Sequence, residues 1–507
     1  MSVTTLSRPT SALARRTHTA PAWALSILVL CAFAYTGLFF DALSRADGEL
    51  LQALTIAPIL IALTVPLALR IARRDHDRTL ASIILAGAAL KLLMGYVQFR
   101  IAYGYYQGRT DAQQYDDVGR TLAPAFRKLD FATNIGSLVG TGSVKFFTGI
   151  VYAIFGTSRI AGFVVFGWIG FLGLLALARA FRIGVPQGDS RRYLIAVLFL
   201  PSLLYWPATI GKEAPMLLGI GLAAYGSACL FQRRTGGLVA LAGGLFIVLT
   251  VRPHVALIMF VGLVFAVLVR KAPARNFAAP VFRLLGVAAL VALGLFIMSR
   301  ASSYLETNLK STSTPATDTN SIGEQLDLTQ LRTTDTEAGS SFSPVAVRTP
   351  LDIPPAFVTV MFRPFPFEVS NAAGLLSSAE GLLLIGLLVI SHKRLRSIPR
   401  MIRTTPYVAF SIGYLVAFTI AFSRFANFGI LSRQRVQAIP FLLVLIALPK
   451  FQELVAAPAP ELEAVPQPAA PASTGPRRRS RRPPVVPRAR TPVSSGSSFL
   501  PPVRTTR

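Results

Sequence analysis

Long apolar runs separated by short charged turns make up most of the chain. A run of about 20 apolar residues spans a bilayer as a helix, because only internal hydrogen bonds satisfy its backbone there. Twelve runs show this pattern: 22–40, 50–69, 80–99, 160–180, 193–209, 214–231, 237–251, 255–269, 281–299, 373–391, 405–423 and 436–449. The stretch 143–156 (SVKFFTGIVYAIFG) is shorter and carries a lysine, so it reads as a re-entrant or interfacial segment. A different periodicity runs from Asp111 to Arg127. There Tyr115, Val118, Leu122 and Phe126 recur at three- and four-residue spacing, which predicts an amphipathic helix on the membrane surface. No repeat of about 20–50 residues is visible, and no inverted repeat of the transporter type. The pattern predicts an all-α polytopic membrane protein: about twelve transmembrane helices plus the re-entrant or interfacial segment.

Lysine and arginine sort these runs into two sides, since cytoplasmic turns carry the excess. With the N-terminus inside (Arg8, Arg15, Arg16), the inner turns are 70–78, 179–192, 233–234, 270–276 and 392–403, followed by the C-terminal tail. Every strongly basic short turn then falls on one side, provided that 143–156 does not cross. The first run exceeds a signal-peptide core of about 7–15 residues, so it reads as a retained anchor. The expected organisation is a cytoplasmic segment 1–21, a transmembrane domain 22–450 with outer loops 100–142 and 300–372, and a disordered Pro/Arg-rich cytoplasmic tail 451–507. Both termini of this multi-pass cell-membrane protein are expected in the cytoplasm.

Composition alone points elsewhere. The 507 residues carry a net charge of +28, which suggests nucleic acid or an anionic surface. Yet 52% of residues are hydrophobic, only 15% are charged, and mean hydropathy is +0.54. A soluble nucleic-acid binder and a wholly disordered chain are both excluded. Placed by sidedness, nearly all the excess charge belongs to the inner turns and the tail, so it is a topological signal. Cys31 and Cys229 lie in separate apolar runs, and His18, His76, His254 and His392 are scattered. That leaves neither a disulfide framework nor a metal-ligand spacing. The Walker-type, G-x-S-x-G and G-x-G-x-x-G motifs are missing, which argues against ATP-driven transport by this chain alone.

The nearly balanced outer side carries the candidate chemistry. Asp111 begins the amphipathic helix, where the helix dipole favours a carboxylate, and an interfacial carboxylate is placed to take a proton from an acceptor hydroxyl. The plainer reading is an N-cap, with Asp116 and Asp117 a solvated face. In PSLLYWPATIGKEAPM (201–216), Lys212 and Glu213 open a span. Charges at that depth are costly unless paired or wet, although Lys212 can also snorkel to the headgroups. Arg252-Pro253-His254 makes a charged elbow between two short runs, and arginine suits phosphate. Arg363 and Glu368 sit among prolines and phenylalanines in VMFRPFPFEVSN (360–371), either a wall for a lipid-linked substrate or a surface anchor. Arg433 and Arg435 stand just outside the last run, against the inside-positive bias, which fits phosphate binding. Cations around a membrane-level cavity with an acid nearby suit a sugar donor linked to a polyprenyl phosphate. The cations stabilise the leaving phosphate and the acid activates the acceptor.

The order of these motifs resembles the membrane glycosyltransferases of the GT-C type, especially the protein-mannosyltransferase and aminoarabinose-transferase-like group. TDAQQY is similar to that group's outer-loop acid followed by a tyrosine, with Asp111 as the acid and Tyr115 as the aromatic. YAIFGTSRIAGF (152–163) resembles its Y-x-x-F-G-x-S run before a long helix, and PSLLYWPATIGKEA its tryptophan-bearing span end. The likeness covers roughly 80–270, with general topology beyond. It departs twice: Ala112 stands where a second acid is usual, and GTGSVKFF replaces a Lys-Pro-Pro stretch. The resemblance implies a GT-C-like fold and Asp111 as catalytic base, with Asp117 the second choice. The substrate-binding candidates are Tyr115, Lys212, Glu213, Arg252, His254, Arg363, Glu368, Arg433 and Arg435. No cofactor is fixed, a divalent metal stays open, and no metal-binding residues are assigned. The expected function is transfer of a sugar from a polyprenyl-phosphate-linked donor to a cell-envelope glycan or lipid acceptor on the outer face. Membrane lipid is a further partner and nucleic acid is not. The alternatives are a lipid-linked glycan polymerase or ligase, leaning on Arg252, Arg363 and Arg433, and a transporter or flippase of a lipid-linked substrate.

Overall fold

Helices form wherever the apolar runs leave the backbone no partner but itself. The computed structural model describes residues 20–456 except 134, 270–293, 296–297, 301–341 and 370. From the N-terminus, α1 (Ala22–Ser44), α2 (Gly48–Arg74) and α3 (Thr79–Phe99) are long and apolar, and α3 continues through a wider turn to Tyr105. Then come α4 (Asp111–Arg127), α5 (Thr141–Phe155) and the long α6 (Arg159–Gly184). The next run is broken into α7 (Ser190–Phe199), α8 (Pro201–Tyr205) and a 3-10 turn, Trp206–Ala208. It is followed by α9 (Glu213–Phe231), α10 (Gly237–Val251) and α11 (Pro253–Val269). Further on lie α12 (Ile353–Phe362), α13 (Ala372–Ile390), α14 (His392–Leu395) and α15 (Ile398–Thr404). The last are α16 (Pro406–Phe422), α17 (Phe428–Gln434), α18 (Ile439–Ile446) and α19 (Phe451–Ala456). No strand occurs among the described residues.

Six of the described helices are long and apolar enough to cross a membrane, or eight if each of two bent pairs is one crossing. The bends are 112° between α15 and α16, and 60° between Phe428–Gln437 and α18. The chain is an all-α multi-pass membrane protein. The distance from twelve has a physical source. Helix α10 has 15 residues, which gives about 22 Å at ~1.5 Å per residue against a ~30 Å hydrocarbon core, and the run 193–209 is broken. Most of the run 281–299 lies outside the described residues. So do the inner turn 270–276, most of the outer loop before 342, residues 1–19 and the tail from 457 onward; the first residues of the expected disordered tail form the helix α19 instead. Inside the expected loop 300–372 there is a helix, α12, started by prolines in its first turn, where a missing N–H costs nothing.

The core is built on α6. Its apolar window is 83% buried, against 11% for α1 and 22% for α13, whose exposed faces suit lipid. Helices α6 and α9 touch backbone to backbone. A Cβ at Gly173 would stand 2.4 Å from the Leu217 backbone, and one at Gly221 would stand 2.2 Å from the Gly173 carbonyl. Small residues at such crossings let dispersion contacts replace the hydrophobic effect that lipid removes.

The break in the run 193–209 follows from Pro201 and Pro207, which cannot donate to a continuous ladder. Its freed backbone groups are met by side chains from neighbouring helices. Lys91 on α3 is fully buried and donates to the Leu203 and Leu204 carbonyls at 2.6 and 2.7 Å. Gln98 donates to the Tyr205 carbonyl at 3.0 Å, and Glu380 on α13 accepts from the Ser202 N–H at 2.8 Å. Broken backbone at membrane depth is tolerated only when it is satisfied in this way.

Candidate functional site

Local sequence rules place five helix ends around one ion-pair network. Glu213 lies in the first turn of α9 and Asp111 in the first turn of α4, both where the dipole favours a carboxylate. Helix α10 stops at Val251 and Pro253 starts α11, which leaves Arg252 extended between them (φ −147°, ψ 88°). Helix α17 is capped by the Asn427 carboxamide, which accepts from the Ile430 N–H at 3.1 Å, and it carries Arg433 near its end. The start of α5 is tied to the same corner, because the Gly140 N–H donates to the Thr250 carbonyl at 2.7 Å.

Glu213, 2% exposed, holds the network together. Arg433 grips it with two bonds, Nε to Oε1 at 2.8 Å and Nη2 to Oε2 at 3.0 Å. Arg252 adds a third, Nη2 to Oε1 at 2.9 Å, and its Nη1 donates to Gln434 at 2.8 Å. The remaining end of Arg433 reaches Asp111, Nη1 to Oδ2 at 3.2 Å. Buried charges persist at such depth only when paired and hydrogen-bonded. Asp111 is the open member: its side chain is 65% exposed and that of Arg433 28%.

Two further groups adjoin the network. Burial lowers the affinity of Lys212 for its proton and repulsion from Arg252 adds to this, while Glu213 and Asp111 act the other way. Tyr115 is buried, and its hydroxyl is pushed up to about 12 by burial and by the nearby Asp111 and Glu213. It stays a phenol at neutral pH and serves as a donor, not a base. Three cations (Lys212, Arg252, Arg433) face two carboxylates (Asp111, Glu213), so the corner carries one positive charge in excess. His254 lies next along the chain at the start of α11, with its ring 6.2 Å from that of Phe422.

Other expected residues lie apart from this corner. Arg363 pairs with Glu368, Nε to Oε1 at 2.8 Å, and its guanidinium lies over the rings of Phe342 and Phe428 at 4.7 and 5.4 Å. Arg435 points inward and is fully buried. It donates to the Arg363 carbonyl at 2.8 Å and to the Ser377 hydroxyl at 2.8 Å, so it ties the end of α12 to α13. Its Nη donors are thereby occupied within the bundle. Asp117 is exposed on another face of α4 and accepts from Gln113 at 3.2 Å.

A second node centres on Asp116, which the plainer sequence reading put on a solvated face. Asp116 is fully buried. It accepts from Arg120 at 3.0 Å, from Arg159 at 2.9 Å and from the Tyr152 hydroxyl. Arg120 continues to Glu49 on α2 at 3.0 Å. Asp116 thereby joins α2, α4, α5 and α6. Tyr152 and Arg159 both belong to the YAIFGTSR stretch, and Asp116 directly follows TDAQQY, so the node joins the neighbourhoods of two of the motifs. The Asp116/Arg120 spacing of four was the available signal for a pair.

Among the described residues no three His, Cys, Asp or Glu side chains gather as metal ligands. Asp111 and Glu213 already share Arg433, so this donor set does not suit a divalent metal. No family model, curated protein or solved structure matches the chain.

Proposed function

We propose that the chain is a membrane glycosyltransferase of GT-C-like build, with about twelve crossings, that transfers a sugar from a polyprenyl-phosphate-linked donor to a cell-envelope acceptor on the outer face. The observation that carries this reading is the exposed Asp111 held beside a cationic corner of net positive charge. The acceptor hydroxyl attacks the anomeric carbon, the bond from that carbon to the phosphate oxygen breaks, and polyprenyl phosphate leaves. Asp111 takes the hydroxyl proton, and Lys212 and Arg433 meet the charge that develops on the phosphate. Glu213 is a positioning residue, because its carboxylate is bound on both oxygens and serves to aim Arg252 and Arg433. In the twelve-crossing arrangement the short α10 crosses by thinning the bilayer locally.

A strain carrying Asp111→Asn in place of the native gene tests this. Loss of the envelope glycan is expected with the protein's melting temperature kept, since an exposed pair contributes about 0–1 kcal/mol. Glu213→Gln is the contrast. It leaves two arginines short of a buried partner, an expected loss of about 3–5 kcal/mol. Unchanged glycans in the Asp111→Asn strain would remove Asp111 as the base.

A lipid-linked glycan polymerase or ligase is the second reading, favoured by the grouping of Lys212, Arg252 and Arg433. It predicts that surface polysaccharide loses chain length while single repeat units persist.

A further inference from the structure

At the end of the bundle that carries the basic turns lies a cavity of about 480 Å³, away from the Glu213 corner. Helices α7, α13 and α18 supply its walls. Arg191 and Arg192 stand at its mouth, and Ile195, Phe199, Leu387 and Ile446 line its body. The wall is apolar and the mouth is basic. Leu383, also on the wall, is 45% exposed, so the cavity opens sideways along a membrane-type helix.

The charges at the mouth are not balanced. Asp189, the acid beside them, accepts from the Arg192 N–H as the cap of α7 and from Arg394 at 3.0 Å. Arg192 uses one Nη2 bond, to the Ser391 hydroxyl at 2.7 Å. Arg191 has no acid partner among the described residues. Two guanidiniums above an apolar slot that opens to the side complement one phosphate with a chain beneath it.

We infer that this cavity binds one anionic phospholipid, with its phosphate held by Arg191 and Arg192 and an acyl chain laid along Ile195, Phe199, Leu387 and Ile446. Apolar burial of the chain and charge-assisted bonds to the phosphate act together, so neither free phosphate nor a zwitterionic lipid satisfies the site as well. The inference stands independently of the transferase reading, because it uses the other end of the molecule.

Native mass spectrometry of the full chain from mixed micelles tests it, with phosphatidylglycerol, phosphatidylcholine and inorganic phosphate as the probes. Retention of one phosphatidylglycerol in preference to phosphatidylcholine is expected, with no retention of inorganic phosphate. Arg191→Gln with Arg192→Gln should weaken that retention about tenfold, which is about 1.4 kcal/mol. Leu387→Trp keeps the basic mouth but fills the slot, and should weaken it similarly. The charge-matched Arg400→Gln with Arg403→Gln, exposed at the same end, should leave it unchanged. Equal retention of both lipids, retention of inorganic phosphate, or equal losses in the two double variants would overturn the site.

Discussion

Lys212 sits where its surroundings work against its charge. Burial and the neighbouring Arg252 both favour the neutral amine, so the folded protein releases this proton below the 10.5 of an ordinary lysine. If Lys212 helps to hold the donor phosphate, donor affinity should fall as pH rises through that lowered value. At lower pH the ammonium is intact and affinity is full. Lys212→Arg should keep its affinity across the same range, because a guanidinium does not deprotonate there. Donor KM measured against pH checks this, and an equally steep fall in Lys212→Arg would exclude Lys212 as the titrating group. At this scale the chain was partly legible. Lys212, Glu213, Arg252 and Arg433 were visible as charges next to apolar runs, where charge needs a reason. Their pairing was not, since Arg433 and Glu213 are 220 positions apart. Asp116 and Asp117 also looked alike, because a helix face is polar or buried according to what packs on it. Tyr152 and Arg159 decide that for Asp116.

Among elements, the tightest joint is the crossing of α6 and α9. Gly173→Leu would drive a side chain into the Leu217 backbone, which cannot rotate away. The expected result is a loss of about 3 kcal/mol or more, at the upper end of overpacking costs. Gly37→Leu on α1, where nothing lies within 4 Å, should be tolerated. Melting temperatures of both variants in detergent make the comparison, and equal stability would mean that α6 and α9 do not meet as described. Helix α4 was legible as an element, because its apolar positions recur at helical spacing from Asp111 to about Arg127. The run 193–209 was not. Its apolar length argued for one helix, and the cuts at Pro201 and Pro207 depend on Lys91, Gln98 and Glu380 arriving from elsewhere in the chain. Helix α12 was hidden for the opposite reason: ten residues inside a polar loop are too few to stand out as a run.

For the whole molecule, the distribution of lysine and arginine makes a claim about sides. In a variant lacking Cys31 and Cys229, single cysteines at three exposed positions test it: Ser137→Cys, Arg234→Cys and Lys393→Cys. An impermeant thiol reagent added to intact cells should label the first and spare the other two. Labelling of Arg234→Cys but not Lys393→Cys would break the common basic side. The break clamped by Lys91 bears on the same scale. The fully buried Lys91 amine, donating to two carbonyls, holds the joint between α7 and the 3-10 turn at one angle. A bilayer that thickens or thins cannot be met by straightening that joint. The adjustment falls instead to α1, whose apolar window is only 11% buried and suits lipid along most of its length. The protein should therefore follow membrane thickness at its rim while its interior keeps one height.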